Sequence, residues 1–559
     1  MKYLSDEIKR KIIYAEQGTV VLLKSPVGSG KTTFCLKELW LHCRTHGKRV
    51  LLIVNRSALR GQLRAEIFSE LGEADSMPED LGLLEFEGLT VVSYQILQKL
   101  GNHFGLSSRT IIGSTEASGF DYIFADEIHY LLMDSMFSAE THSLLKLPSA
   151  FPRAVRIYVS ATLGPVRPLL LEMEGIVDLY ENCMNPAEKV WIPMRYLEAR
   201  PLIRSLVYNG QNVERKVYEP EGIHADFAYF MPVFYAEDEK IGDYVLREFQ
   251  TGKVKKWLIF VESKLEGNTM KKELQAAGIS CAFVTADRLE SSEQEALESI
   301  LRTGKFQEQV LIATTVIDNG VSLTDPEIGN IVIAGYEEIE AVQQAGRVRI
   351  RDSSSQIRLW ICRHTAQYFN KKAYVLRQRR ALLNSFQRAN DKAKISLLLD
   401  NDFGFLNNFA QRSTTGAVQV NKLGIKALEY FEKELEDNLQ RAKGNGDGYI
   451  RKVLSWFDMD EKVVKFHQEQ REINAKKNFR NFICPYIEQT LGGEDWDAFR
   501  RRVKDLYEQG FGEKLCSGKK ARLPGINKVR EIVGKYGFTI IKVKGGYQIK
   551  EEQEDVISI

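Results

Sequence analysis

Residues 20–33, VVLLKSPVGSGKTT, constrain this chain more than any other stretch. An apolar run, Val20-Val21-Leu22-Leu23, stops abruptly at Ser25-Pro26-Val27-Gly28-Ser29-Gly30-Lys31-Thr32-Thr33. That order predicts a buried parallel strand, a loop and the first turn of a helix. Gly28 and Gly30 let the backbone curl so that its N–H groups converge on an anion. The helix beginning near Lys31 adds its positive end. Lys31 supplies a cation for the outer phosphates of a nucleotide, and the Thr32 hydroxyl suits Mg²⁺. The strict pattern G-x-x-x-x-G-K-[ST] asks for glycine at position 25, where this chain has Ser25, a small residue that keeps the loop narrow.

Further strands are expected at 50–54, 88–93, 123–125 and 155–159, alternating with helical segments. This is the pattern of a doubly wound α/β sheet, whose ligands bind at the carboxyl ends of the strands. Those ends carry Asn55-Arg56-Ser57, Tyr94-Gln95, Asp126-Glu127 and Ser160-Ala161-Thr162. Asp126 and Glu127 read as the second half of a nucleotide-hydrolysing site. The aspartate would share Mg²⁺ with Thr32, and the glutamate would orient and deprotonate the attacking water. His129, taken alone, reads as a structural histidine.

A second strand–helix series follows, at 257–261, 281–284, 310–313, 331–334 and 357–362, with no phosphate loop of its own. The 559 residues leave room for three or four domains at roughly 100–200 residues each. A net charge of +2 means that any basic surface is local. The seven cysteines form no C-x-x-C pair, which argues against a zinc site and suits a reducing compartment. No signal peptide or membrane span is expected, so the reading is cytoplasmic with no membrane partner.

The motifs in order resemble those of superfamily-two helicases. Asp126-Glu127-Ile128-His129 is similar to their DEAH box, residues 25–32 to their first motif, and Ser160-Ala161-Thr162 to their third. Phe260-Val261-Glu262-Ser263 resembles motif four, residues 314–322 motif five, and Gln343-Gln344-Ala345-Gly346-Arg347-Val348-Arg349 motif six. The resemblance covers roughly the first two-thirds of the chain. It implies two RecA-like lobes with ATP between them, Gly320 among the nucleotide contacts, Gln343 near the γ-phosphate or its water, and Arg347 as an arginine finger. The family usually has a second arginine three positions on. This chain has Ile350 there, so Arg349 or Arg351 substitutes or the second finger is missing. The resemblance also implies nucleic acid across both lobes, with Arg56, Ser57, Tyr94, Gln95, Thr315 and Asn319 as the candidate contacts, reading phosphates and not bases.

Beyond His364 the pattern turns helical. The tail from Lys514 is basic, and a helix followed by FTIIKVKGGYQI suggests a winged-helix module. The expected organisation is a first lobe at 1–190, a linker with β character at 191–240, a second lobe at 241–365, a helical accessory region at 366–510 and a basic module at 511–559. The function expected is an ATP- and Mg²⁺-dependent helicase or translocase, on DNA more than RNA, with residues 366–559 open to a protein partner. Two alternatives stay open: an ATPase that loads or remodels, or binds an origin, without processive unwinding, and a nucleotide-gated interaction protein.

Overall fold

The computed structural model describes residues 4–26, 29–55, 83–104, 106–107, 111, 119–176, 202–208, 211–220, 227–252, 255–285, 291–314, 323–349, 356–412, 417–443, 447–459, 479–511 and 523–551. The chain divides into two compact units, Met1–Asn438 and Leu439–Ile559.

The first unit is organised by two parallel sheets. One contains β1 (Val20–Lys24), β2 (Val50–Val54), β3 (Leu83–Phe86), β4 (Leu89–Ser93), β5 (Tyr122–Ala125), β6 (Val155–Ser160), β7 (Leu202–Tyr208) and β8 (Gln211–Tyr218). Their order is β3-β4-β2-β5-β6-β1-β8-β7, parallel except for the edge pairs β3–β4 and β7–β8. The inner strands are apolar runs buried along almost their whole length, as strands covered on both faces must be. Because β5, β6 and β1 are neighbours, their carboxyl ends stand side by side, and the three polar clusters that follow them meet at one edge.

The other sheet contains β9 (Phe230–Ala236), β10 (Lys256–Phe260), β11 (Cys281–Val284), β12 (Val310–Ala313), β13 (Ile328–Ile333) and β14 (Ile357–Arg363). Its order is β11-β12-β10-β13-β14-β9, all parallel. Within the expected linker at 191–240, the described strands β7, β8 and β9 belong to the two sheets. β8 pairs with β1 of the first sheet, whereas β9 pairs along its whole length with β14 of the second. Both stretches supply ladder hydrogen bonds that would otherwise leave a bare sheet edge.

Under the first sheet lies a buried charge pair. The Arg156 guanidinium donates to Glu174 through Nε at 2.8 Å and Nη2 at 3.1 Å, and the Tyr158 hydroxyl donates to the same carboxylate at 2.5 Å. Both side chains of the pair are fully buried.

One long helix, Lys422–Arg441, ties the lobes together. Just before it, the Asn421 amide donates to the carbonyls of Ser135 and Ser138, both at 2.9 Å, and to Thr141 Oγ1 at 3.0 Å, all in the first lobe. Four turns later, Asn438 donates to the Tyr336 carbonyl of the second lobe at 2.9 Å. The helix is held along its length by Arg380, which pairs with Glu429 and Glu432.

The second unit has its own core around Phe479, Trp496, Phe499, Val529, Ile532 and Phe538. Its three-stranded sheet combines β17 (Thr490–Leu491), β18 (Phe538–Val543) and β19 (Gly546–Glu551) in the order β17-β19-β18; the intervening pair β15 (Ala410–Arg412) and β16 (Val418–Val420) belongs to the first unit. Helices Gly493–Phe511 and Ile526–Gly534 lie between β17 and β18 in sequence. The basic tail is therefore not a module beginning near 511: its hairpin pairs with β17, and its core draws in Phe479 and Trp496. No described helix is long and apolar enough to cross a membrane.

Candidate active site

The loop after β1 is pinned at its start by Ser25, whose N–H donates to the Ser160 carbonyl at the end of β6, at 2.9 Å. Ser25 Oγ and Ser29 Oγ lie 2.6 Å apart, and Ser29 Oγ donates to the Pro26 carbonyl at 2.7 Å. The serine at position 25 thus has work of its own: its hydroxyl closes the loop through Ser29. Gly30, at φ +84°, takes a left-handed turn that a side chain would strain, and it places Lys31 at the first position of the helix. That helix runs from Lys31 through a π-helical stretch, Phe34–Leu39, to Thr45.

Lys31 is 6% exposed, and its ammonium donates to Glu127 Oε1 at 2.9 Å and lies 3.7 Å from Asp126 Oδ1. Thr32 is half-buried beside it and Thr33 is exposed. Burial works against the Lys31 charge, but Glu127 and then Asp126 outweigh it, so the ammonium is held above its ordinary pKa. Glu127 has a backbone φ of +50°, a region that non-glycine residues avoid. Its own N–H donates to Asp126 Oδ1 at 3.0 Å. The turn directs the two adjacent carboxylates differently around one lysine. Burial pushes the Asp126 carboxyl up. Burial also works to raise Glu127, but Lys31, then His129 and Arg347, hold it below the usual carboxylate range.

His129 is fully enclosed. Its Nδ1 lies 3.0 Å from Ser160 Oγ and 3.3 Å from Glu127 Oε2. Burial lowers its pKa to about 4, so it is neutral at physiological pH. The histidine left as structural therefore touches both Glu127 and the Ser160-Ala161-Thr162 motif.

The second lobe reaches the same cluster through helix Glu338–Ala345, which begins at the buried cap Glu337. The Gln343 amide donates to Glu127 Oε2 at 3.4 Å, across 216 residues of sequence. Arg347, 3% exposed, donates through Nε to the Gln343 carbonyl at 3.2 Å and through Nη2 to Gln343 Oε1. The Arg347 carbonyl accepts from Leu323 N–H, and the Arg349 N–H donates to the Leu323 carbonyl, both at 2.8 Å, which fixes the backbone carrying the guanidinium.

The donor set fits a magnesium nucleotide. Thr32 and Asp126 are hard oxygen donors beside a lysine and a loop of backbone N–H groups. No cluster of three or more His, Cys, Asp or Glu placed to hold a metal ion occurs among the described residues.

Tyr94 does not sit where a strand could reach it. It is 1% exposed, its ring stacks on Tyr130 at 4.7 Å, and its hydroxyl donates to the Asp126 carbonyl at 2.9 Å. The expected surface contact is a packed support for the acidic turn. Gln95 follows it, half-buried, in the first turn of helix Tyr94–Phe104. Val27, Gly28, Arg56, Ser57, Thr315, Asn319, Gly320, Ile350 and Arg351 lie outside the described residues.

Comparison with known proteins divides along the same two lobes. Residues 2–164 match the family described as type III restriction enzyme, res subunit, and residues 239–351 match the helicase conserved C-terminal domain. No curated protein matches the chain in sequence. Among solved structures, it is similar to Dbp5 of S. cerevisiae bound to RNA and ADP BeF3, with TM-score 0.40 and 11% identity over 66% of this chain and 84% of that one. Helicase Lhr of Mycobacterium smegmatis, bound to ssDNA and AMP-PNP, gives TM-score 0.38 and 14% identity over 67% of this chain and 47% of Lhr. Helicase MrfA bound to DNA gives 0.41 and 16% over 76% and 57%.

Proposed function

We propose that this chain, whose residues 2–164 and 239–351 match the res-subunit and helicase C-terminal family models, is a superfamily-two helicase that turns over ATP between its two lobes and uses the cycle to move along, or unwind, DNA in preference to RNA. The observation that carries this reading is the approach of Gln343 to Glu127 at 3.4 Å, with Arg347 braced on Gln343 directly behind it.

In this reading the loop at residues 25–32 cradles the phosphates, and Thr32 and Asp126 would hold Mg²⁺, which would supply positive charge to the phosphate groups. Glu127, held ionised by Lys31, accepts the proton of the attacking water. Gln343 orients that water or the γ-phosphate. The nucleotide's charge competes with the carboxylates for Lys31, and Arg347 exchanges its Gln343 contact for the transferring phosphoryl. A guanidinium suits this, being permanently charged and forked. His129 couples Glu127 to Ser160 and so to the end of β6. The helix Lys422–Arg441, anchored on both lobes, is positioned to register their closure.

The test is ATP turnover by the full chain with single-stranded, duplex and forked DNA, and with the same forms of RNA. Glu127→Gln keeps the shape and removes the base, so it should bind ATP and barely hydrolyse it. Nucleic-acid stimulation in the wild type with near-loss in the variant supports the reading. A variant that hydrolyses within a few-fold of wild type places the base elsewhere. A strand-displacement assay on the forked substrate separates unwinding from ATP-driven loading or remodelling.

A further inference from the structure

The second unit carries a charged face that the ATP site does not use. Residues 479–483 are helical, and β17, helix Gly493–Phe511, helix Ile526–Gly534, β18 and β19 follow. Helix–strand–helix–helix–strand–strand is the order of a winged helix. The apolar side of helix Ile526–Gly534, formed by Val529, Ile532 and Val533, packs into the core with Phe538, Ile540 and Ile549 of the hairpin. Its other side presents Asn527 and Arg530 to solvent. Arg530 Nε donates to the Ile540 carbonyl at 3.0 Å, fastening helix to hairpin.

Charge is concentrated here. The second unit, residues 439–559, carries 24 Lys or Arg and 18 Asp or Glu, a net +6 against +2 for all 559 residues; of these, residues 523–551 contain six Lys or Arg and two acids, and Glu552, Glu554 and Asp555 follow them in sequence. The two acids within 523–551 are already ion-paired, Glu531 with Lys528 at 2.8 Å and Glu551 with Arg480. Lys542, Lys544 and Lys550 are exposed and have no ion-pair partner among the described residues. The hairpin turns at Lys544-Gly545, where Gly545 takes φ +98°, and this holds Lys542 and Lys544 near its tip.

We propose that this helix-and-hairpin face is a binding site for duplex DNA, independent of nucleotide. Helix Ile526–Gly534 has nine residues, about 13 Å at 1.5 Å each. Its exposed Asn527 and Arg530 are side-chain types that hydrogen-bond base edges, and the B-form major groove, about 12 Å wide, admits an α-helix. Lys542 and Lys544, at the tip on the side of the sheet that carries Phe538 and Ile540, neutralise adjacent phosphates; Lys550, opposite Thr539 in the register, lies on the other face. An A-form RNA duplex does not accept the helix, because its major groove is deep and narrow.

The experiment measures binding of the full chain to a labelled blunt DNA duplex of about two helical turns, without nucleotide, between about 50 and 200 mM salt. Each phosphate contact contributes about 0.9 to the slope of log affinity against log salt. The double variant Lys542→Ala, Lys544→Ala should lower that slope by roughly 2 and bind at least tenfold more weakly at the upper salt, whereas Lys550→Ala should leave the slope nearly unchanged. The arginine double at positions 542 and 544 should retain binding. ATP turnover stimulated by single strands should be unchanged in all three variants, so failure of the helicase reading would show there and not in the duplex arm. An unchanged slope in the alanine double, or equal affinity for an RNA duplex, overturns the assignment. Loss of binding in the arginine double as well overturns the electrostatic basis.

Discussion

The Tyr94 hydroxyl donates to the backbone carbonyl of Asp126 at 2.9 Å, and its ring lies nearly parallel to that of Tyr130, at 11°. Tyr94 opens the helix after β4, whereas Asp126 and Tyr130 flank the turn after β5. The bond therefore links two strand ends through the backbone of the acidic turn, one residue from the strained φ of Glu127.

Tyr94→Phe keeps the stacked ring and removes this one hydrogen bond. We expect about 1 kcal/mol of lost stability from a buried acceptor left unpaired. Turnover should fall about tenfold, the kinetic equivalent of a similar loss in positioning, while ATP affinity stays the same. Parallel measurements of ATP binding, turnover and thermal unfolding check this. A stability loss with full turnover would make Tyr94 a packing residue only.

The buried Arg156–Glu174 pair gives a prediction about folding alone. Glu174→Ala strands a guanidinium at 0% exposure and also removes the acceptor of the Tyr158 hydroxyl. The expected cost is about 3–5 kcal/mol, seen as a lower denaturant midpoint with the slope unchanged. A loss under about 1 kcal/mol would mean that the backbone carbonyls of Gly18, Phe151, Pro152 and Ala154, which already accept from Arg156, are enough to hold the charge.

Glu337 caps the helix that carries Gln343. Its carboxylate accepts from the N–H groups of Ile339 at 2.9 Å and Glu340 at 2.7 Å. Burial and the Glu340 carboxylate, against those two bonds, push its pKa up to about 8. A carboxyl whose folded pKa is raised binds more protons in the folded state than in the unfolded one. Its contribution to stability is therefore full below the ordinary carboxylate range and falls as pH rises toward about 8. Glu337→Gln, which like the protonated carboxyl keeps one carbonyl acceptor for the cap, should match the wild type at low pH and should lose this part of the decline. Unfolding midpoints for both proteins between about pH 5 and 9 test it. Parallel curves would show that Glu337 does not titrate in that range.

Much of the arrangement of the candidate site was legible from local chemistry. A loop that wraps a phosphate needs glycine at fixed places after a buried strand, and Gly30 at φ +84° meets that need. Asp126 and Glu127 were legible because two acids ending an apolar strand in an alternating fold have few other uses. The approach of Gln343 to Glu127 was not available from spacing, since a long-range contact leaves no periodic trace; the family resemblance implied only that Gln343 lies near the γ-phosphate or its water. Tyr94 was misread for a physical reason. A tyrosine at a strand end looks like a surface contact, and only Tyr130, from another element, shows that it is covered. β17 was missed because two residues cannot display a period of two, and the same gap moved the boundary of the C-terminal module.

The central claim is that Arg347 acts on the transferring phosphoryl and not on ATP in its ground state. The most direct measurement is ATP affinity and saturated turnover, side by side, for wild type, Arg347→Ala and Arg347→Lys, with stimulating nucleic acid present. We predict that affinity changes only a few-fold while turnover falls about 10³-fold in the alanine variant, and that lysine does not restore it, because a point charge lacks the fork. Weakened ATP binding with unchanged saturated turnover would contradict this account and make Arg347 a ground-state contact.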